Sequence, residues 1–120
     1  MADIDLEAGK VAVELDGKEM ILVPTLDACI RISAIAGGLN AAVQRCLQLD
    51  MNTICEIIIA GLGVNPTQAK AVPQAVFKTG LIKLSGPCID FIHIVGNGGR
   101  ALSDEEDGGG EDEAGPLPPA

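Results

Sequence analysis

Asp50-Met51-Asn52-Thr53-Ile54-Cys55-Glu56-Ile57-Ile58-Ile59-Ala60-Gly61-Leu62-Gly63 is the stretch around which the chain is arranged. Met51, Ile54, Cys55, Ile58 and Leu62 recur at the three-to-four spacing of one helix face, with Asn52, Thr53 and Glu56 mainly opposite. Asp50 is suited to cap the N-terminus, and Thr53 with Glu56 offers a second capping box one turn later. Gly61 or Gly63 can supply the left-handed stop. Ile57 and Ile59 widen the apolar arc beyond one stripe, which predicts a central helix touching neighbours on more than one side.

Upstream, Val11-Ala12-Val13-Glu14-Leu15 and Lys18-Glu19-Met20-Ile21-Leu22-Val23 alternate about Asp16-Gly17. Asp-Gly is a favoured two-residue hairpin turn, and it predicts the pairs Leu15 with Lys18, Val13 with Met20 and Val11 with Leu22. A lone hairpin is marginal in water, so its apolar face should lie on helices, or its edge should join another chain's sheet.

Pro24 stops the second strand, and Thr25 is placed to cap a helix carrying Leu26, Cys29, Ile30 and Ile35 as far as Gly37-Gly38. A helix from about Asn40 to Leu49 should bury Ala42, Val43, Cys46, Leu47 and Leu49. Asn65-Pro66-Thr67-Gln68 reads as N-cap, first-turn proline and capping-box glutamine of a short helix that Pro73 ends or kinks. Gln74 to Leu84 repeats the helical period with Val76, Phe77, Leu81 and Leu84. Ser85-Gly86-Pro87 should interrupt it, and Cys88 to Val95 favours helix over strand before Gly96-Asn97-Gly98-Gly99. The expected fold is α+β: an N-terminal hairpin followed by a bundle of four to six short helices, in one domain over residues 9–102. A frayed start over residues 1–8 and a disordered acidic tail over residues 103–120 complete the expected organisation.

The net charge of −9 is unevenly placed. Seven acids and no base fall between Ser103 and Ala120, leaving ten acids against eight bases up to Leu102. Neither part has the clustered Lys and Arg that a phosphate backbone demands, and Phe77 and Phe91 are the only aromatic residues available to stack on bases. Nucleic acid is therefore not the expected partner. The longest near-apolar run, Ile57 to Val64, falls far short of the ~20 residues that cross a bilayer, and the start lacks a secretory pattern. Cys29, Cys46, Cys55 and Cys88 have no C-x-x-C spacing and read as small buried hydrophobes in a reducing cytoplasm. The acidic tail reads as a solvated segment that aids solubility, with an interaction role as the alternative.

Chemistry needs converging titratable groups. His93 is the only histidine; Asp90 lies three residues before it, but no Ser or Cys nucleophile stands at helical spacing beside the pair. Cys88 and His93 make two ligands where zinc needs three or four. Gly61-Leu62-Gly63 lacks the third glycine of a dinucleotide fingerprint, and Gly96-Asn97-Gly98-Gly99 lacks the Lys-Ser/Thr of a phosphate loop. No catalytic, metal or cofactor residue is expected.

The order of these features resembles the gene-transfer-agent family of phage tail tube and tail assembly chaperone proteins. The resemblance rests on Gly9-Lys-Val-Ala-Val-Glu-Leu-Asp-Gly17, Thr25-Leu-Asp-Ala28, the stop at Gly37-Gly-Leu39, and Ile54-Cys-Glu-Ile-Ile-Ile-Ala-Gly-Leu62, and it covers about residues 9 to 95. These motifs are aliphatic and glycine patterns, and the chain departs from the family in its acidic tail and its Ser85-Gly86-Pro87 segment. The resemblance implies a non-enzymatic chaperone in the host cytoplasm that binds the tape-measure protein and serves tail-tube subunits. In related chaperones a ribosomal frameshift appends a second domain to part of the product. A tail or connector subunit that stays in the phage particle is the alternative. Met20, Ile21, Val23, Ile57 and Ile59 are the candidate partner contacts, because they fall outside the best-formed core stripes, and the hairpin edge is a candidate for self-pairing into a homo-oligomer.

Overall fold

Val11–Leu15 (β1) and Lys18–Leu22 (β2) pair antiparallel in the expected register, with Leu15 opposite Lys18, Val13 opposite Met20 and Val11 opposite Leu22. Asp16 and Gly17 have φ of 52° and 83°, so both turn residues are left-handed, as the tight hairpin turn requires. The computed structural model describes residues 9–100. Among these described residues six helices follow the hairpin: α1 Leu26–Ala36, α2 Leu39–Leu47, α3 Met51–Leu62, α4 Pro66–Ala69, α5 Val72–Thr79 and α6 Leu81–Gly96. The fold is mixed α+β. The expectations for residues 1–8, 101–102 and the acidic tail lie outside the described residues.

The central helix is α3. It is buried from Thr53 to Gly61 apart from half-buried Glu56, and it packs on α1, α2, α5, α6 and β2. Thr53, expected on the polar side, is buried; its hydroxyl donates to Asp50 Oδ2 at 2.6 Å, which removes the cost of an unpaired polar group. Asp50 occupies the N-cap position with its carbonyl accepting from the Ile54 N–H at 3.0 Å but no side-chain bond to the helix backbone, and the left-handed stop falls at Gly63. Gly61 remains helical because β2 passes over it: a β-carbon there would meet Leu22 Cβ at 2.8 Å and Cδ2 at 2.9 Å. The Val23 N–H donates to the Gly61 carbonyl at 2.8 Å, tying the strand's end to the helix.

Three expectations about helix faces are corrected. α1 is capped by Thr25, whose hydroxyl accepts from the Ala28 N–H at 3.0 Å, but it buries Ala28 and Ile32 while Leu26, Ile30 and Ile35 are exposed. In α2 only Ala42 and Cys46 are buried, and Leu47 is exposed. Phe77, read as a core residue of the following helix, is 73% exposed. The reason is shared: short helices pressed against a central rod present a narrow face, which small residues fill, and the apolar surplus faces outward.

The break expected at Ser85-Gly86-Pro87 falls instead at Gly80, whose φ of 108° separates α5 from α6. α6 continues through Pro87. The proline lacks the N–H that would bond the Lys83 carbonyl, while Gly86 has no β-carbon to clash with the proline ring. Pro73, expected to end a helix, stands in the first turn of α5, where its missing N–H costs nothing. The Asn65 capping box forms as expected, with Gln68 N–H on Asn65 Oδ1 at 2.8 Å and Asn65 N–H on Gln68 Oε1 at 3.1 Å.

Candidate docking surface

The groups best able to do chemistry do not converge. His93 and Asp90 are both exposed on α6, and no hydrogen bond joins them. Among the described residues no three His, Cys, Asp or Glu side chains are grouped to hold a metal ion. Cys46 on α2, Cys55 on α3 and Cys88 on α6 are buried. Burial pushes the Cys46 thiol up to about 11, with the Asp50 carboxylate adding to the effect. Burial, helped by Glu56, raises Cys55, and burial raises Cys88 further, with Cys46 and Cys55 contributing. These thiols stay protonated near neutrality, unlike the thiolates that act as nucleophiles.

The hairpin tip builds a different feature. The Asp16 N–H donates to Thr79 Oγ1 at 2.7 Å, and the same hydroxyl donates to the Ala75 carbonyl at 2.8 Å, so the turn is anchored to the end of α5. Lys83 Nζ reaches Glu14 Oε1 at 3.0 Å and ties α6 to β1; both side chains are about half exposed, so the pair contributes at most about 1 kcal/mol. Between the anchored tip, the end of α3 and helices α4 and α5 lies a groove of about 440 Å³. Leu15, Met20, Leu62, Val64 and Val72 supply its apolar lining. Exposed Lys18 and Lys78 stand at its edge with a single acid, Asp16. A second cavity of about 380 Å³, between the start of α1 and the end of α6, has no charged residue among its described lining residues.

The structure separates the five candidate contacts. Met20 is half-buried and lines the groove, Ile21 is half-buried, and Val23 is exposed just beyond β2. Ile57 and Ile59, chosen because they fall outside the best-formed core stripes, are core residues at 0% and 7% exposure and are therefore not available as partner contacts. Periodicity missed Leu15, Leu62, Val64 and Val72 as groove residues because a groove wall and a core face carry the same apolar pattern. Large apolar side chains are exposed elsewhere, notably Leu26 and Ile30 on α1, Phe77 on α5 and Ile82 on α6.

Among the described residues no single helix is long and apolar enough to cross a membrane; α1 and α2 pass that test of length and composition only together, across a bend of 66°. Comparisons with family models, curated proteins and solved structures gave no match to this chain.

Proposed function

We propose that this chain is a non-enzymatic tail assembly chaperone of a phage or phage-derived particle. It works in the host cytoplasm, binds the tape-measure protein and holds it soluble for assembly with tail-tube subunits, and it is absent from the mature particle. The observation that carries this reading is the apolar groove at the hairpin tip, which suits one turn or more of an amphipathic partner helix laid along its apolar side. Met20 is the anchor within it, while Ile21 and Val23 alternate to the other face of the strand and offer a separate contact outside the groove. The scattered exposed aliphatics of α1 and α6 fit a protein that covers apolar chain. Neither a cofactor nor nucleic acid has a part in this function.

The test is co-expression with the tape-measure protein encoded nearby in the same genome, followed by co-purification. Solubility of that partner and co-elution are expected, with both reduced in Met20→Asp. A partner that is equally soluble with and without this chain would sink the reading. The two-stranded sheet favours a second one, since a hairpin is readily extended by a neighbouring copy's strand: a tail or connector subunit that forms a homo-oligomer and remains in the particle. Mass spectrometry of purified particles separates the two, because stoichiometric presence belongs to a subunit.

A further inference from the structure

We infer that the groove at the hairpin tip is the docking site of the chain's own acidic C-terminal segment. Charge points to this occupant. Residues 9–100 hold eight bases against seven acids, whereas residues 103–120 hold seven acids and no base. Among the described residues, Arg31, Arg45 and Lys83 are engaged with Glu56, Asp50 and Glu14. Lys18 and Lys78 have no such ion pair, and both line the groove; Lys70, also outside those pairs, immediately precedes the lining residue Ala71. The second cavity is nearer the C-terminal end of the described chain, but none of its described lining residues carries a charge to meet an acidic segment.

Length decides which part of the segment docks. The body's last residues lie against its first, since a side chain at Gly9 would run into the Gly99 carbonyl. From Gly9 to Asp16 the extended strand covers about 23 Å. At full extension Asp104 lies only about 17 Å beyond Gly99, while Glu111 lies up to about 40 Å beyond it. The first acidic run, Asp104–Asp107, therefore falls short or reaches the groove only fully stretched, and the second, Glu111-Asp112-Glu113, reaches it with slack. Leu117 follows four residues later and is the one large apolar side chain after Leu102. The second run meets Lys18 and Lys78, and Leu117 enters the apolar lining beside Met20. This contact does not depend on what else binds the groove.

Carbodiimide cross-linking of the full chain, read by peptide mass spectrometry, tests the contact without any partner. Cross-links joining Lys18 or Lys78 to Glu111–Glu113 are expected to exceed those to Lys10, which stands next to the segment's root. They should be lost at high salt and when Leu117→Ser is introduced. Replacing the three acids (Glu111→Gln, Asp112→Asn, Glu113→Gln) in the full chain should return the amide signals of Lys18, Gln74 and Lys78 to their positions in a chain ending at Leu102. The matching replacement of the first run should leave them displaced. Cross-links dominated by Lys10, or superimposable groove signals with and without the acids, would overturn the inference. So would cross-links that disappear on dilution, because they would place a second copy's segment in the groove.

Discussion

Gly61→Ala is the substitution whose outcome depends most directly on the packing described above. On an isolated helix it would stabilise by about 1 kcal/mol, because alanine restricts the unfolded chain and favours helix. Here the added methyl meets Leu22 Cβ at 2.8 Å, Cδ2 at 2.9 Å and Cγ at 3.2 Å. The first of these atoms is fixed to the strand backbone and cannot swing aside. Moving the strand away strains the Val23 N–H bond to the Gly61 carbonyl, whose net worth is about 1 kcal/mol, and disturbs the fully buried Leu22. Overpacking of this kind costs about 1–3 kcal/mol, and the lost hydrogen bond adds to it. The clash outweighs the propensity gain, leaving a net loss of about 1–3 kcal/mol. For a domain of this size that lowers Tm by roughly 4–8 °C per kcal/mol. The chain has no Trp or Tyr, so thermal and urea unfolding are best followed by far-ultraviolet circular dichroism. A variant as stable as the parent, or more stable, would refute the close approach of β2 to α3.

Ile57→Ala should cost about 2–5 kcal/mol in urea unfolding because the side chain is wholly buried, whereas Met20→Ala, at a groove wall, should cost well under half as much. Equal losses would contradict the assignment of Ile57 to the core and Met20 to the surface. Pro87→Ala should stabilise by about 1–2 kcal/mol, since it restores the bond to the Lys83 carbonyl and outweighs the entropy that proline removes from the unfolded chain; a lower urea midpoint would show that the ring's packing matters more. The buried thiols set an alkaline limit. Cys46, Cys55 and Cys88 are raised in the folded state, so their contribution is intact below the ordinary thiol value of 9.0 and is lost as pH rises from there through about 11 for Cys46. The unfolding free energy from urea titrations should fall over that window, by at most about 1.4 kcal/mol per pH unit for each thiol, and that of a Cys46→Ala variant should fall less steeply. Native labelling with a maleimide should modify half-buried Cys29 first; simultaneous labelling of all four would mean that the core opens as readily as the surface.

Local signals in the chain were sufficient wherever a few neighbouring residues hold the determining physics. Asp16-Gly17 set the hairpin turn and register, Thr25 capped α1, Asn65 and Gln68 closed a capping box, and the dense aliphatics from Ile54 to Ile59 marked the central helix. Each of these depends on contacts within a turn or on a repeat period, and such contacts are visible in the order of residues. Only the tertiary structure decided which apolar face of α1 turns inward, that Phe77 is exposed, that α6 runs through Pro87 while Gly80 makes the break, and that Gly61 is a crossing point. It also decided the groove, whose wall joins residues from Leu15 to Lys78. Periodicity identifies a side chain as apolar without specifying what stands opposite, and close packing between elements distant in sequence determines whether it lies in the core, a groove wall or solvent.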